Sequence, residues 1–565
     1  MANTRIVVIG GSAAGPKAAA RARRLDPNAE ITIIQKDADL SMASCGYPYY
    51  VGGYFDEREM LLCSPTGVVR DPRFFLNAKG ITALTSTEVL SIDRKAHTLE
   101  YRNVASNETQ TLGYDKLVVA TGARPFVPPV PGTDLDGITT LQSMRDADFL
   151  RKIRDEGHIK KAAIIGGGLI GIETCEALQL AGIQITVVEM LPQLLSFLDW
   201  ELARLVENHV RDQGANVVTK NGLAAFLGED GKLTAVKLAN GTELPCQLAV
   251  VAVGVRPNTK LAADAGLAVG ERHGIVVDEH MQTSDPDIYA VGDCVEIKNL
   301  ITGKPTHAPF GDLANLQGRV AGENIVKGNV ATFPGTVQTG ICKVFEYGAG
   351  STGLSEAAAR RFGYENIVTA LAAGLDKPHF MGGELIILKM VADAESGRIL
   401  GVQCIGPGDV SKRIAVAAMA IQGGITVDQM VNADLPYAPP YSLTIDTVIT
   451  AAHVLQNKMR GLMKGMSPMD VKEKMDAEED VLLIDVRGPD EFETTRLGIG
   501  ETLIPLSALR GRLGELPDDK NKEIICYCKI SLRGYEAARL LEGHGYTNVH
   551  VMEGGIACWP YTREK

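Results

Sequence analysis

Two cysteines stand in settings suited to sulfur chemistry. Cys45 lies in Ser44-Cys-Gly-Tyr-Pro-Tyr-Tyr50. The position five residues on is Tyr50, so the stretch holds no Cys-x4-Cys pair. A lone redox thiol must take its partner from outside: a substrate thiol, a persulfide sulfur, or oxygen as sulfenate. Only the thiolate attacks sulfur, and a helix N-terminus expected after Gly46 would stabilise that anion. Cys528 opens a second candidate, Cys528-Lys-Ile-Ser-Leu-Arg533, after the apolar run Glu523-Ile-Ile-Cys-Tyr-Cys528 and before a helix expected from Arg533. A strand-to-helix loop of this kind turns its N–H groups inward as an anion nest. Lys529 and Arg533 would add positive charge to a Cys528 persulfide. Cys526, two residues earlier on the same strand face, reads as a core cysteine.

The elements that must position these thiols begin at the N-terminus. Ile6-Val-Val-Ile-Gly10-Gly-Ser12-Ala-Ala-Gly15, an Ala/Arg-rich helix over Lys17 to Leu25 and the strand Glu30 to Gln35 form a β-α-β unit with a dinucleotide turn. Ser12 replaces the middle glycine, and Gln35 replaces the acid expected at the end of the second strand. The second copy, Ala162-Ala-Ile-Ile-Gly166-Gly-Gly168-Leu-Ile-Gly171-Ile-Glu173, keeps all three glycines, and its following strand ends in Glu189. A carboxylate there accepts from a ribose 2′-OH and repels a 2′-phosphate, which favours NADH while leaving NADPH open. Val118-Val-Ala-Thr121-Gly122 and Val251-Ala-Val-Gly254-Val-Arg-Pro-Asn258 read as crossing points between the two nucleotide domains. Ile288-Tyr-Ala-Val-Gly292-Asp293 ends in an aspartate placed to bond a flavin's ribityl or phosphate end.

Length and composition bound the rest. A chain of 565 residues suggests three or four domains. Its net charge of −12 argues against nucleic acid or an anionic membrane as partner. The ten cysteines have no disulfide-framework spacing and no Cys-x2-Cys pair, which fits a reducing cytosol and argues against a metal site. The chain enters a strand at Arg5 without a signal peptide, and it has no apolar run near eighteen residues. A cytoplasmic, soluble protein is expected. Residues 456–468, polar and rich in Met and Lys, read as a linker before a compact αβ unit.

Taken together, these segments resemble the two-dinucleotide-binding-domain flavoproteins over residues 1–455. Within them, Ser41-Met-Ala-Ser44-Cys45-Gly-Tyr-Pro-Tyr-Tyr, Lys412-Arg413-Ile and Tyr437-Ala-Pro-Pro-Tyr-Ser442 are similar to coenzyme A-disulfide reductases. Residues 469–565 resemble a rhodanese domain through Asp485-Val-Arg487, the Cys-x4-Arg loop and Gly554-Gly-Ile-Ala-Cys-Trp559. The fused order is similar to that of coenzyme A-disulfide reductase–rhodanese fusions, which include NADH-dependent persulfide and polysulfide reductases. The resemblance implies an α/β fold: two nested Rossmann-like domains, an α+β dimerisation domain and a C-terminal rhodanese domain. The implied segments are FAD-binding at 1–115 and 246–328, NAD-binding at 116–245, dimerisation at 329–455, and rhodanese at 469–565. It also implies FAD, NADH and coenzyme A as cofactors and a homodimer.

By the same resemblance, electrons pass from NADH through FAD to Cys45, releasing sulfide or thiol. Gly10, Ser12, Gly15, Thr121, Gly122 and Asp293 would meet FAD, and Gly166, Gly168, Gly171 and Glu189 the nicotinamide nucleotide. Arg24, Ser41 and Ser44 match coenzyme A-contacting positions, with Ser44 in place of the usual asparagine. Tyr437 matches a tyrosine that reaches the partner subunit's active site. The family's tandem tyrosines become His379-Phe380, which puts coenzyme A disulfide in doubt and suits a persulfide or polysulfide, whose leaving groups need less help. The usual rhodanese Gly-His-Ile becomes Leu497-Gly-Ile499. Three rivals stand beside a persulfide reductase: a coenzyme A-disulfide reductase, an NADH oxidase and a slow sulfur carrier or redox sensor. Ala13, where peroxidases of this type carry histidine, disfavours peroxide chemistry.

Overall fold

The computed structural model describes residues 3–565. Residues through Met190 together with Val218–Thr336 form one unit, and Leu191–Val217 with Val337–Lys565 form a second.

The first unit holds two parallel sheets. In one, the strands run Ile288–Ala290, Lys116–Val119, Arg5–Ile9, Glu30–Ile34 and Thr82–Leu84. Their near-continuous Val/Ile content is what a strand buried on both faces requires. The helix Ala14–Leu25 follows the first strand, and its Ala14 and Ala18 carbonyls meet Gly318 and Gly322 of the helix Gly311–Lys327. A Cβ on either glycine would stand 2.4 Å from those oxygens, so the two helices touch through backbone. The other sheet includes Gln184–Val188, Lys161–Ile165, Leu248–Val251 and Ile138–Thr139 in that order. Short strands Ala123–Pro125 and Val255–Pro257 pair antiparallel between the two crossing segments.

This topology corrects several sequence boundaries. Lys116–Val119 pairs with Arg5–Ile9, so it belongs to the first sheet and not to a segment beginning at 116. Leu248–Val251 pairs with Lys161–Ile165, which carries the second sheet past 246. The amphipathic helix Trp200–Asp212 clusters with the second unit and not with the nucleotide turn that precedes it in sequence. The expected linker is mostly structured: a helix runs Thr447–Met459, and Gly465–Met466 is an edge strand of the C-terminal sheet.

The second unit has an antiparallel sheet, Gly340–Val344, Tyr347–Gly353, Ile399–Gly406, Leu385–Asp393 and Ile367–Leu375, backed by helices Val410–Gln422 and Thr447–Met459. Its C-terminal part is a parallel sheet ordered Gly465–Met466, Val549–Met552, Glu523–Tyr527, Val481–Asp485, Thr502–Leu503. Leu497 packs there with Val471, Leu483, Tyr527 and Trp559, so the altered Leu497-Gly-Ile499 stretch fills core.

A buried cation holds the helix Trp200–Asp212 to the antiparallel sheet. Lys389 is 3 % exposed, and its ammonium lies 3.4 Å from Asp199, 3.1 Å from Glu201 and 2.9 Å from Glu356. Burial alone would push this ammonium down, yet the carboxylates of Glu201, Asp199 and Glu356 outweigh it and hold the lysine above its ordinary value. Removing one partner of a buried ion network strands the others. Lys389→Met is therefore expected to cost about 3–5 kcal/mol, read as a lowered thermal midpoint; an unchanged midpoint would contradict the assignment.

Candidate functional site: two nucleotide turns and two thiols

The two nucleotide turns are built alike. Gly10 and Gly166 adopt φ of +110° and +108°, and their N–H groups donate to Ile34 O and Val188 O, both at 2.8 Å. A Cβ on Gly15 would stand 2.0 Å from Gly10 O, and one on Gly171 2.0 Å from Gly166 O. Only glycine admits a helix this close to its strand. A Cβ on Gly168 would meet nothing within 4 Å, and Ser12 at the equivalent position is exposed, so the serine costs no packing. Neither following helix has a side-chain cap, which leaves its first amides open to a pyrophosphate. Gly11 N–H donates to Gln35 Oε1 and Gly167 N–H to Glu189 Oε2, both at 2.7 Å. Gln35 thus keeps the loop-bracing half of the acid's task without the charge. Both cradles fit a dinucleotide.

Thr121 and Gly122 brace the crossing. The Thr121 hydroxyl donates to Asn258 O at 2.7 Å, the Asn258 amide returns a bond to Thr121 O at 2.9 Å, and Asn258 N–H donates to Gly122 O. Asp293 follows Gly292, whose N–H donates to Gln317 Oε1 at 2.7 Å. Burial pushes the Asp293 carboxyl up.

Cys45 is exposed on a short 3-10 turn, Ser44–Gly46, before the helix Tyr47–Gly52. Its Sγ lies 3.7 Å from where a Cβ on Gly311 would be, at the first turn of Gly311–Lys327. The chain itself does not favour the thiolate, contrary to the expectation from a helix after Gly46. Burial, then the carboxylates of Glu173, Asp293 and Asp312, push the Cys45 thiol up. The redox turn is tied to the second nucleotide helix: Tyr49 donates to Glu173 at 3.2 Å and Tyr54 to Glu176 at 2.7 Å.

The residues expected to contact coenzyme A are only partly available. Arg21 pairs with Glu323 at 2.6 Å, and Arg23 donates to Pro27 O and Gly80 O, while Arg24 is exposed. Ser41 is 6 % exposed with φ +53°; its N–H donates to Gly11 O and its carbonyl accepts from Arg70. Ser41 therefore braces the Cys45 loop more than it faces a ligand. Ser44 is exposed. Tyr437 is exposed on a loop whose far end is anchored by Ser442 and Asp446, and Asp446 pairs with buried Arg413 at 2.8 Å. His379 and Phe380 form an exposed turn.

Cys528 is 1 % exposed at the start of its loop. Arg533 holds Glu491 through two bonds of 2.7 and 2.8 Å, which pushes the Glu491 carboxyl down to about 2. Arg533 is thus fixed by Glu491 while it also bonds Cys528, the thiol whose charge the sequence reading assigned it, with Lys529, to offset. Glu491, missed in the sequence, sits at the N3 position of the helix Pro489–Thr494, four residues after Arg487. Arg487 in turn is buried against Asp485 at 2.6 Å. Ser531 takes φ +83°, and the segment after Met552 clasps the loop: Ile556 N–H donates to Cys528 O and Ala557 N–H to Lys529 O. A Cβ on Gly555 would stand 2.3 Å from Cys528 O, so this clasp requires glycine. Burial pushes the Cys526 thiol up to about 12, consistent with a core position.

Comparison with known proteins agrees with this architecture. Residues 4–311 match the family described as pyridine nucleotide-disulphide oxidoreductase, 339–449 its dimerisation domain, and 467–560 a rhodanese-like domain. The chain belongs to the pyridine nucleotide-disulphide oxidoreductases, enzymes that use FAD and NADH, and it carries a rhodanese domain. A NAD-dependent persulfide reductase from A. fulgidus is 43 % identical, with a TM-score of 0.93 over 98 % of this chain and 100 % of that one. An NAD(P)H coenzyme A polysulfide/persulfide reductase of Pyrococcus horikoshii is 34 % identical over 80 % of this chain and 98 % of its own length. An NADH oxidase of Methanocaldococcus jannaschii is 34 % identical over 80 % of this chain and 99 % of its own. Among the described residues, no helix is long and apolar enough to cross a membrane.

The raised Cys45 thiol has a direct readout. In flavin-free protein, the pH midpoint for Cys45 alkylation by iodoacetamide is expected above about 8.5, the ordinary thiol value. Cys45→Ser supplies the baseline, and a midpoint below the ordinary value would contradict the electrostatics described.

Proposed function

We propose that this enzyme reduces persulfide or polysulfide sulfur with NADH, and that its rhodanese domain handles the same sulfane sulfur. The observation that carries the reading is the second thiol. A chain whose redox cysteine has no partner thiol also holds Cys528 in an amide-lined loop, which an oxidase has no use for. The persulfide reductases among its relatives, and the A. fulgidus enzyme that matches it over nearly its whole length, support the same choice.

In this reading Gly10, Ser12, Gly15, Asp293 and the Thr121-Gly122 turn hold FAD, and Gly166, Gly168, Gly171 and Glu189 hold NADH. FAD, when bound, supplies the two-electron relay between NADH and sulfur. The Cys45 thiolate attacks the outer sulfur of a persulfide R–S–SH. The S–S bond breaks, the thiol RSH leaves, and Cys45 holds the sulfur as Cys45–S–SH. Two electrons from NADH and two protons then return Cys45 to the thiol and release hydrogen sulfide. The sum is R–S–SH, NADH and H⁺ going to RSH, H₂S and NAD⁺.

Coenzyme A serves as the thiol R–SH, with Arg24 and Ser44 on the accessible side. Its pantetheine arm would carry sulfur between Cys528 and Cys45. Tyr437 acts across a homodimer, for which the dimerisation domain is the support. Ten free cysteines suit a reducing cytoplasm.

Substitution separates the two sites. Cys45→Ser is expected to abolish NADH-dependent sulfide release from every donor. Cys528→Ser is expected to spare small soluble persulfides and to impair rhodanese-type donors. Equal loss in both variants for all donors would overturn the two-site scheme.

A further inference from the structure

The clasp on the Cys528 loop has a second side. Met552–Ala557 is a largely buried segment bonded to the loop: Ser531 Oγ donates to Met552 O at 3.2 Å, and the Ile556 and Ala557 amides donate to Cys528 O and Lys529 O at 2.9 and 3.1 Å. These bonds occupy the carbonyls of Cys528 and Lys529 and so fix the backbone that carries the thiol. Glu553, within this segment, sends its side chain the other way, into the antiparallel-sheet domain. It is 5 % exposed. Its Oε2 accepts the N–H of Leu371, on the edge strand Ile367–Leu375, at 2.9 Å. Its Oε1 pairs with Lys458 of the helix Thr447–Met459. Its own N–H donates to Met466 O at 2.9 Å. A Cβ on Gly465 would stand 1.8 Å from Glu553 Oε1, so residue 465 leaves room for the carboxylate only as glycine.

A carboxylate is buried here at the price of desolvation, and a surface contact of the same size would need no charge. The pair therefore acts on geometry: it fixes a segment whose backbone in turn fixes the sulfur loop. We propose that Glu553, held by Lys458 and Leu371, is a positioning residue for Cys528, so that the domain carrying the dimerisation sheet sets the competence of the sulfurtransferase loop. The inference rests on the reading of Cys528 as a sulfur-transfer thiol. Glu553 touches no reacting atom; it works through Gly554, Gly555 and the two amides beyond them.

The test uses the full FAD-loaded chain and three variants: Glu553→Gln, Lys458→Met, and the two combined. Each single variant leaves one buried partner without its counter-charge, whereas the double variant leaves none. Sulfur transfer from thiosulfate to cyanide is expected to lose about tenfold in kcat in each single variant with KM unchanged, as for a modest misplacement of a catalytic group. The double variant is expected to recover most of that loss; rates are read well below each variant's thermal midpoint, where a merely weakened but still folded domain would keep the wild-type kcat. Cys45-dependent reduction of a small persulfide is expected to stay at the wild-type rate in all three. Wild-type transfer rates in both single variants would overturn the proposal. If Glu553→Gln fails to fold, Lys458→Met and the double variant carry the same comparison. If the wild-type chain transfers no sulfur at all, the reading of Cys528 itself fails. The iodoacetamide reaction rate of Cys528, changed in the single variants and restored in the double, then still decides the positioning claim.

Discussion

At three places in this chain backbone comes so close to backbone that a side chain would prevent it. Gly15 and Gly171 let a helix start against its strand with its first amides uncapped. Gly555 lets the chain after Met552 press against Cys528 O and occupy that carbonyl. The rest of the architecture keeps these approaches rigid. Apolar parallel strands fix where each loop begins, and the Ala14–Gly318 and Ala18–Gly322 contacts fix the helix that leaves the first. Charge at the reacting thiols is handled sparingly. Cys45 faces carboxylates, whereas Arg533 is shared between Glu491 and Cys528.

Buried ions do structural work in the second unit. Lys389 ties the helix Trp200–Asp212 to the antiparallel sheet, Arg413 and Asp446 anchor the loop that carries Tyr437, and Lys458 with Glu553 joins the C-terminal sheet to its neighbour. Ion pairs of this kind add little net stability over well-packed apolar groups, but they tolerate one arrangement only. That property suits a chain in which separate domains must present loops in register.

Much of this was legible in the sequence because spacing encodes it. The two glycine turns, the Gly-Asp strand end, the lone Cys45 and the Cys-x4-Arg loop are local patterns, and the sheets and helices fall where they require. What was not legible depends on distant partners. Nothing in Trp200–Asp212 says which sheet its apolar face will cover, and the nucleotide turn before it suggested the wrong one. Glu491 meets Arg533 across forty-two residues of sequence, and only its place at the start of a helix after Asp485-Val-Arg487 could have drawn notice. The Cys45 environment depends on burial and then on Glu173, Asp293 and Asp312, all of which arrive from other parts of the chain. The Thr121 hydroxyl meets Asn258, a partner 137 residues away that no local pattern announces.

The central claim is that Cys45 reduces sulfane sulfur and not oxygen or a disulfide. Anaerobic NADH oxidation with coenzyme A persulfide, polysulfide and coenzyme A disulfide in parallel, with sulfide release followed, tests it most directly. The account predicts fast turnover on the first two with one sulfide released per NADH, and slow turnover on the disulfide. Preference for the disulfide without sulfide release, or rapid NADH consumption only when air is admitted, would contradict it.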